Sequence, residues 1–362
     1  MMTYSYLVSH ETDPYENIAL EECLLRHVGE QEVILYLWQN RKTVVIGYNQ
    51  NPWRECKVEQ LTADGGHLVR RLSGGGAVFH DLGNLNFTFV ARKQNYDVAR
   101  QSEVILRAVR SFGIPAVRNG RNDLTADGRK FSGNAFYRTG DRCYHHGTIL
   151  LRADKAEMSR YLTVSKEKLQ SKGVESVRSR VVNLEEYVPE LTVEELEQAL
   201  IRAFGEVYGG SGESRSGDDG SSFGRGVHSG DSGNGRLEVF ARDRLPADEL
   251  QASRDRFASW EWLYGRRIPF QYETAHRFSW GELVIQTAVS GGIVDQIAVW
   301  SDGLDVEFPG KLEALLKGCV YQKQPLMQRI EASGWTSEYK EQAIEAVQWM
   351  LEGGDANDGD DI

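Results

Sequence analysis

Apolar and polar residues alternate most clearly between residues 77 and 90. Leu85, Phe87 and Phe89 alternate with Asn86, Thr88 and Val90, the period of two that marks a strand. Ala77-Val78-Phe79 reads as the start of a preceding strand, with Asp81-Leu82-Gly83-Asn84 as the turn of a hairpin between the two. Leu35 to Tyr48 reads as another strand pair, around Gln39-Asn40-Arg41-Lys42. Helical spacing appears in three places. Asp13-Pro14 gives a cap and first turn, followed by Ile18, Cys23 or Leu24, and Val28. Asp97 to Phe112 puts Ile105, Ala108, Val109 and Phe112 on one face, with Gly113 as the stop and Pro115 beyond it. Thr192-Val193-Glu194-Glu195 is a capping box opening a helix through Leu196, Leu200 and Phe204.

The pattern breaks at residues 209–236, where ten of 28 residues are glycine and seven are serine. So little apolar surface cannot offset the entropy of ordering, and the stretch reads as a flexible linker or insertion. It separates residues 1–208 from a smaller unit at 237–352. That unit begins with a helical stretch ending in Trp260 to Gly265. Strands at Ala275–Trp280, Glu282–Ser290 and Val294–Ser301 follow, the last two joined by the hairpin signal Gly291-Gly292. Two helices close it, one through Leu312, Leu315 and Leu316, the other through Tyr339, Ile344, Val347 and Leu351. Residues 353–362 carry four aspartates and read as an acidic tail.

Composition narrows the function classes. The net charge of −11 argues against nucleic-acid binding, which needs a basic face. Four cysteines (Cys23, Cys56, Cys143, Cys319) lie far apart with no CxxC pair. That disfavours both a zinc site and a disulfide framework, and fits reduced thiols in a cytoplasmic protein. No secretory leader or membrane span is expected.

Candidate chemistry centres on Arg70-Arg71-Leu72-Ser73-Gly74-Gly75-Gly76-Ala77-Val78-Phe79-His80-Asp81. Glycines without Cβ let a ligand touch the main chain, and their N–H groups can converge on an anion. The two arginines add charge and forked donors, though the sequence leaves open which one faces a ligand. A second group follows: Gly128-Arg129-Lys130-Phe131-Ser132-Gly133-Asn134-Ala135, then Tyr144-His145-His146-Gly147-Thr148. Adjacent histidines on a strand point to opposite faces, so both cannot readily ligate one ion.

Together with Asn17–Glu22, Trp38–Asn51 and Lys172–Leu184, these motifs resemble the lipoate–protein ligase family. The likeness spans nearly the whole chain outside 209–236 and the acidic tail. It implies an α+β fold, with mixed, mostly antiparallel sheets flanked by helices as in biotin and lipoate ligases. A smaller α/β C-terminal accessory domain is implied beside it. It also implies activation of lipoate with Mg-ATP to lipoyl-AMP, then transfer to a lysine of acceptor domains. Those acceptors are the lipoyl domains of 2-oxoacid dehydrogenase E2 subunits and the glycine-cleavage H protein.

The resemblance assigns roles to residues. Lys130 is the cation that offsets repulsion between carboxylate and α-phosphate. Arg71, Gly75, Gly76, Ala77, Val78, Phe79, Asn84 and His146 hold the nucleotide or adenylate. Phosphate meets the N–H groups near Gly75 to Ala77, and adenine meets the backbone of Val78 and Phe79. Trp38 and Val45, with Arg71, line the slot for the acyl tail, and Asp123 holds Mg²⁺. Because an adenylate is hydrolysable, a loop closing over it is expected, and the segment around 165–184, with Arg178 and Arg180, is a candidate mobile stretch. The rival is an ATP-independent octanoyl or lipoyl transferase working through a cysteine thioester, for which Cys143 is the nearest thiol.

Overall fold

The computed structural model describes residues 2–120, 122–163, 181–209, 235–266, 268–352 and 355–356. Residues 210–234 of the expected insertion, the Lys172–Leu184 motif up to residue 180 with Arg178 and Arg180, and most of the acidic tail lie outside them.

Strands β1 (Met2–Val8) and β2 (Glu32–Trp38) flank helix α1 (Pro14–His27), and β3 (Thr43–Ile46) follows. Asp13 caps α1 by accepting from the Tyr15 and Glu16 N–H groups. Short helices α2 (Pro52–Glu55) and α3 (Val58–Ala63) lead to β4 (His67–Arg70), β5 (Val78–His80) and β6 (Asn84–Arg92). Helix α4 (Val98–Arg110), capped by Asp97, precedes β7 (Ala116–Asn119), β8 (Asp123–Ala126), β9 (Arg129–Thr139) and β10 (Arg142–Leu150). Helices α5 (Lys155–Tyr161) and α6 (Val193–Tyr208) complete this part, α6 opening on the expected capping box of Thr192 and Glu195.

Eight strands form one mixed sheet in the order β11-β1-β2-β6-β10-β9-β8-β7, where β11 is Gly235–Val239. From β2 onward its pairings are antiparallel, while β1 runs parallel to β2 and β11. One face is covered by α4 and α6, burying Leu85, Phe87, Phe89, Ile105 and Phe204. The other meets α1 and α7 (Ala247–Ala258), burying Ile18, Leu24, Tyr36, Val90 and Phe257. Truncating a fully buried ring such as Phe89 to alanine would cost about 3–5 kcal/mol.

A second sheet of three strands, β4-β3-β5, carries the glycine loop. Two expected strand pairs dissolve here. β2 and β3 belong to different sheets, and so do β5 and β6, so neither pair is a hairpin. Alternation specifies a strand and its faces, not its partner. β5 instead pairs antiparallel with β3, placing Val78 beside Val45, and the glycine loop connects β4 to β5 on either side of β3.

The C-terminal unit is an antiparallel sheet of β12 (Tyr272–Phe278), β13 (Gly281–Ser290) and β14 (Ile293–Ser301), edged by the short β15 (Asp355–Ala356). The Gly291-Gly292 hairpin forms as expected, with both residues at positive φ. Three helices rather than two cover one face: α9 (Phe308–Leu316), α10 (Lys323–Glu331) and α11 (Ser337–Glu352). α10 buries only Leu326 and Ile330, a stripe too sparse to stand out in sequence.

The packing also shifts the boundary expected at 237. β11 extends the large sheet, and α7 packs on α1, followed by the short α8 (Trp260–Tyr264). The second unit therefore starts after residue 266. Asp355 and Ala356, expected in the tail, pair with Tyr272 and Glu273. No helix among the described residues is long and apolar enough to cross a membrane.

Candidate active site

A cavity of about 190 Å³ opens between the two sheets, bounded by the glycine loop, β5, β6, β9 and β10. Among expected residues, Trp38, Val45, Arg71, Gly75, Gly76, Ala77, Val78, Lys130 and His146 all line it. Residues from five strands and the glycine loop thus converge on one space.

The two arginines separate cleanly. Arg70 is buried away from the cavity. Its guanidinium donates to five backbone carbonyls: Gly47, Tyr48 and Gln50 in one loop, Trp262 and Leu263 at the end of α8. Arg71 is the one facing inward, but it is chiefly a brace. Its Nη2 donates to Gly74 O at 2.7 Å and Gly76 O at 2.8 Å, its Nη1 to Val45 O, and its Nε to Ser73 Oγ. Burial lowers its pKa only to about 10, so it stays charged at neutral pH.

The glycines are needed for close approach. Gly75 has φ +91°, a region that favours glycine. A Cβ on Gly47 would lie 2.2 Å from Gly75 O. The Gly75 N–H, expected to face phosphate, instead donates to Gly303 O of the second unit at 2.9 Å, and Leu304 reaches the cavity wall. Asn49 ties the same junction, donating from Nδ2 to Val306 O and accepting the Ser301 N–H.

Lys130 stands on β9, with Nζ 2.7 Å from Asp123 Oδ1 on the neighbouring strand. Both side chains are somewhat over one-third exposed, so the pair is open to exchange. Asp123 itself is not on the cavity wall, whereas its neighbour Asn122 is.

The histidine pair divides as a strand requires. His145 turns to the α4–α6 side, donating from Nε2 to Asn134 Oδ1, while His146 faces the cavity. Burial pushes the His145 pKa down to about 3. His146 joins a buried chain: its Nδ1 lies 2.8 Å from Glu21 Oε1 and its Nε2 2.7 Å from Ser73 Oγ. Thr88 also donates to Glu21, and the Trp38 indole donates to Thr88. With the imidazole neutral, Nδ1–H donates to Glu21 and Nε2 accepts the serine hydroxyl.

Two expected residues sit elsewhere. Phe79 points to the far side of the small sheet, against Val44, Ile46 and Tyr161, because alternation on β5 sends Val78 and His80 to the cavity. Asn84 is buried off the wall and donates to Asn86 Oδ1; it is Asn86 that reaches the cavity. Sequence reasoning missed Ile18, His80, Asn86, Thr148 and Leu304. Period-two continuation from Val78 to His80 would have found His80, but nothing local marks Leu304. Among the described residues no group of three or more His, Cys, Asp or Glu side chains is arranged to hold a metal.

All four cysteines are off the cavity wall. Cys23, Cys56 and Cys143 are buried, and burial raises each thiol's pKa, to about 11 for Cys23 and about 12 for Cys56. A thioester carrier needs the opposite, an exposed thiolate.

The family model for the lipoyl protein ligase A/B catalytic domain matches residues 13–205, and that for the bacterial lipoate protein ligase C-terminus matches 267–350. LipL1 of P. falciparum, solved in complex with lipoate, is similar over 96% of this chain and 99% of its own, at 29% identity and TM-score 0.78. A bipartite lipoate protein ligase from Thermoplasma acidophilum, studied with its E2 lipoyl domain, is 24% identical over 74% of this chain and 99% of its own (TM-score 0.60). A lipoate-protein ligase A bound with ATP is 23% identical over 72% and 97% (TM-score 0.56). The last two speak for the fold alone.

Proposed function

Since this chain belongs to the lipoyl protein ligase A/B family, with a lipoate protein ligase C-terminal unit behind its catalytic domain, we propose that it activates lipoate with ATP and transfers the lipoyl group to a lysine of a lipoyl acceptor domain. The observation that carries this reading is Lys130, an ammonium on the same cavity wall as the glycine loop and Arg71.

A lipoate carboxylate oxygen attacks the α-phosphorus, the bond to the β-phosphate oxygen breaks, and pyrophosphate leaves. Both reactants are anions, so fixed positive charge must offset their repulsion. Lys130 supplies it by exchanging Asp123 for the carboxylate and α-phosphate oxygens. Arg71 adds a buried positive charge and holds the Gly74 and Gly76 carbonyls, so the loop keeps its shape. Trp38, Val45 and Ile18 give the acyl tail an apolar wall. In the second step the acceptor lysine's amine attacks the acyl carbonyl, and AMP leaves.

Mg²⁺ usually takes one or two carboxylates plus phosphate oxygens and water. Asp123, one carboxylate beside Lys130, fits that modest requirement, and the ion would supply charge at the phosphates. E2 lipoyl domains and H protein are the proposed acceptors.

The test is purified protein with lipoate, ATP, Mg²⁺ and an isolated lipoyl domain. Lipoate-dependent release of AMP and pyrophosphate together with lipoylated domain supports the reading. Acyl transfer from a thioester donor without ATP would replace it with the transferase.

A further inference from the structure

His80 lines the cavity, is 3% exposed, and its Nε2 has no hydrogen-bond partner among the described residues. A buried unpaired polar atom is destabilising and calls for an explanation. Its neighbours fix what that atom offers. Backbone carbonyls only accept, so the amide nitrogen of Asn17 must face Glu11 O and Gln39 O. The Asn17 Oδ1 then accepts from Ser9 and Tyr36. The Asn40 side-chain amide lies 3.1 Å from the same Asn17 nitrogen. Its own amide nitrogen there would face another donor, so its Oδ1 takes that side and shares an Asn17 hydrogen. The Asn40 amide nitrogen then turns toward His80 Nδ1 at 3.2 Å. Nδ1 must therefore accept, and the ring's proton sits on Nε2. Burial, with Arg71 and His146 nearby, holds the pKa near 3, so the ring stays neutral.

The ring forms part of the deep cavity wall, with Nε2 sealed from solvent. His80 and Val78 share a face of β5, so His80 is about 7 Å further from the glycine loop. The Trp38 ring meets it edge-on, with centroids 6.0 Å apart, and Trp38 pairs with Asn86 across β2 and β6. Lys130 is on β9, two strand spacings or about 10 Å sideways from β6, and a few residues further along the strand direction than Asn86. A chain whose carboxylate meets Lys130 brings its tail to this wall.

Resting on the ligase reading, we propose that His80 is a specificity-determining residue. Its Nε2–H donates to an acceptor on the acyl tail, and so favours a tail bearing dithiolane sulfur over a plain alkyl chain of the same length. Sulfur is a weak acceptor, but an alkyl tail leaves the buried donor with nothing.

Direct binding to the full-length protein, measured calorimetrically without ATP, tests this. Wild type binds lipoate about tenfold tighter than octanoate. His80→Phe loses that margin through weaker lipoate binding, with octanoate unchanged, and His80→Gln, which keeps an amide donor, recovers most of it. Equal weakening of both acids by His80→Phe, or no preference in the wild type, overturns the proposal. Because a buried substitution can unfold the chain, imidazole ¹⁵N spectra of the wild type give a second reading. The Nε2–H tautomer should persist from pH 5 to 8 and its resonance should move with lipoate but not octanoate; an Nδ1–H tautomer overturns the proposal. Selective binding without AMP release would sink the ligase reading and leave this one standing.

Discussion

Lys130 Nζ and Asp123 Oδ1 lie 2.7 Å apart on adjacent strands, and each side chain keeps more than one-third of its surface exposed. The lysine is thus held at the cavity by a partner that an anionic substrate can replace. Exposed pairs of this kind add only about 0–1 kcal/mol to stability. Lys130→Ala should leave the unfolding midpoint nearly unchanged. Lipoate-dependent pyrophosphate release should fall by about 10²–10³, as for a removed charge-stabilising group. Near-normal release would remove Lys130 from its role.

Asp123→Asn separates two uses of the carboxylate. If Asp123 helps hold Mg²⁺, the variant needs several-fold more Mg²⁺ for half-maximal rate and recovers at saturation. A rate loss that no Mg²⁺ concentration repairs would reduce Asp123 to a tether for Lys130.

Gly47→Ala tests the packing beneath the glycine loop. The new Cβ would sit 2.2 Å from the Gly75 carbonyl oxygen, so backbone must move. Adenylate formation should fall at least about tenfold, because displacement of about an ångström at a reacting centre is that costly. An unchanged rate would show that the loop's position is not critical.

Arg70 is predicted to matter for folding. Arg70→Ala leaves five backbone carbonyls short of a donor and unties the loop at residues 47–50 from α8. The loss should be about 3–5 kcal/mol, read from the urea midpoint. A loss below about 1 kcal/mol would contradict the brace.

Acid should destabilise the protein before most carboxylates titrate. His80 and His145 have folded pKa values of about 3, lowered by burial, against an ordinary value near 6.5. As pH falls below 6.5 the unfolded chain takes up protons that the native state refuses. Stability therefore drops as pH falls from about 6.5 toward 3, by at most about 1.4 kcal/mol per unit per histidine. His145→Gln should flatten the slope between pH 6.5 and 5 by about half. An unchanged slope would mean that His145 already titrates in the native state.

Helix ends and strand faces were legible in the chain because they are local. Asp13, Asp97 and Thr192 cap helices that begin where those residues stand, and Leu85, Phe87 and Phe89 do point into one core. The glycine run, Lys130 and His146 were legible as chemistry, since their residue types suit anion binding, and they do share one cavity. Partnership was not legible. Period two says which way Val78 and His80 point, but not that β5 joins β3 across a second sheet. The two arginines have the same chemistry, and only the fold sends Arg70 into backbone carbonyls and Arg71 to the cavity. Leu304 and the Gly303 carbonyl reach the site from about 230 residues away. Local sequence determines the shape each segment prefers. Which segments meet is decided by burying their apolar faces together, a property of the whole chain.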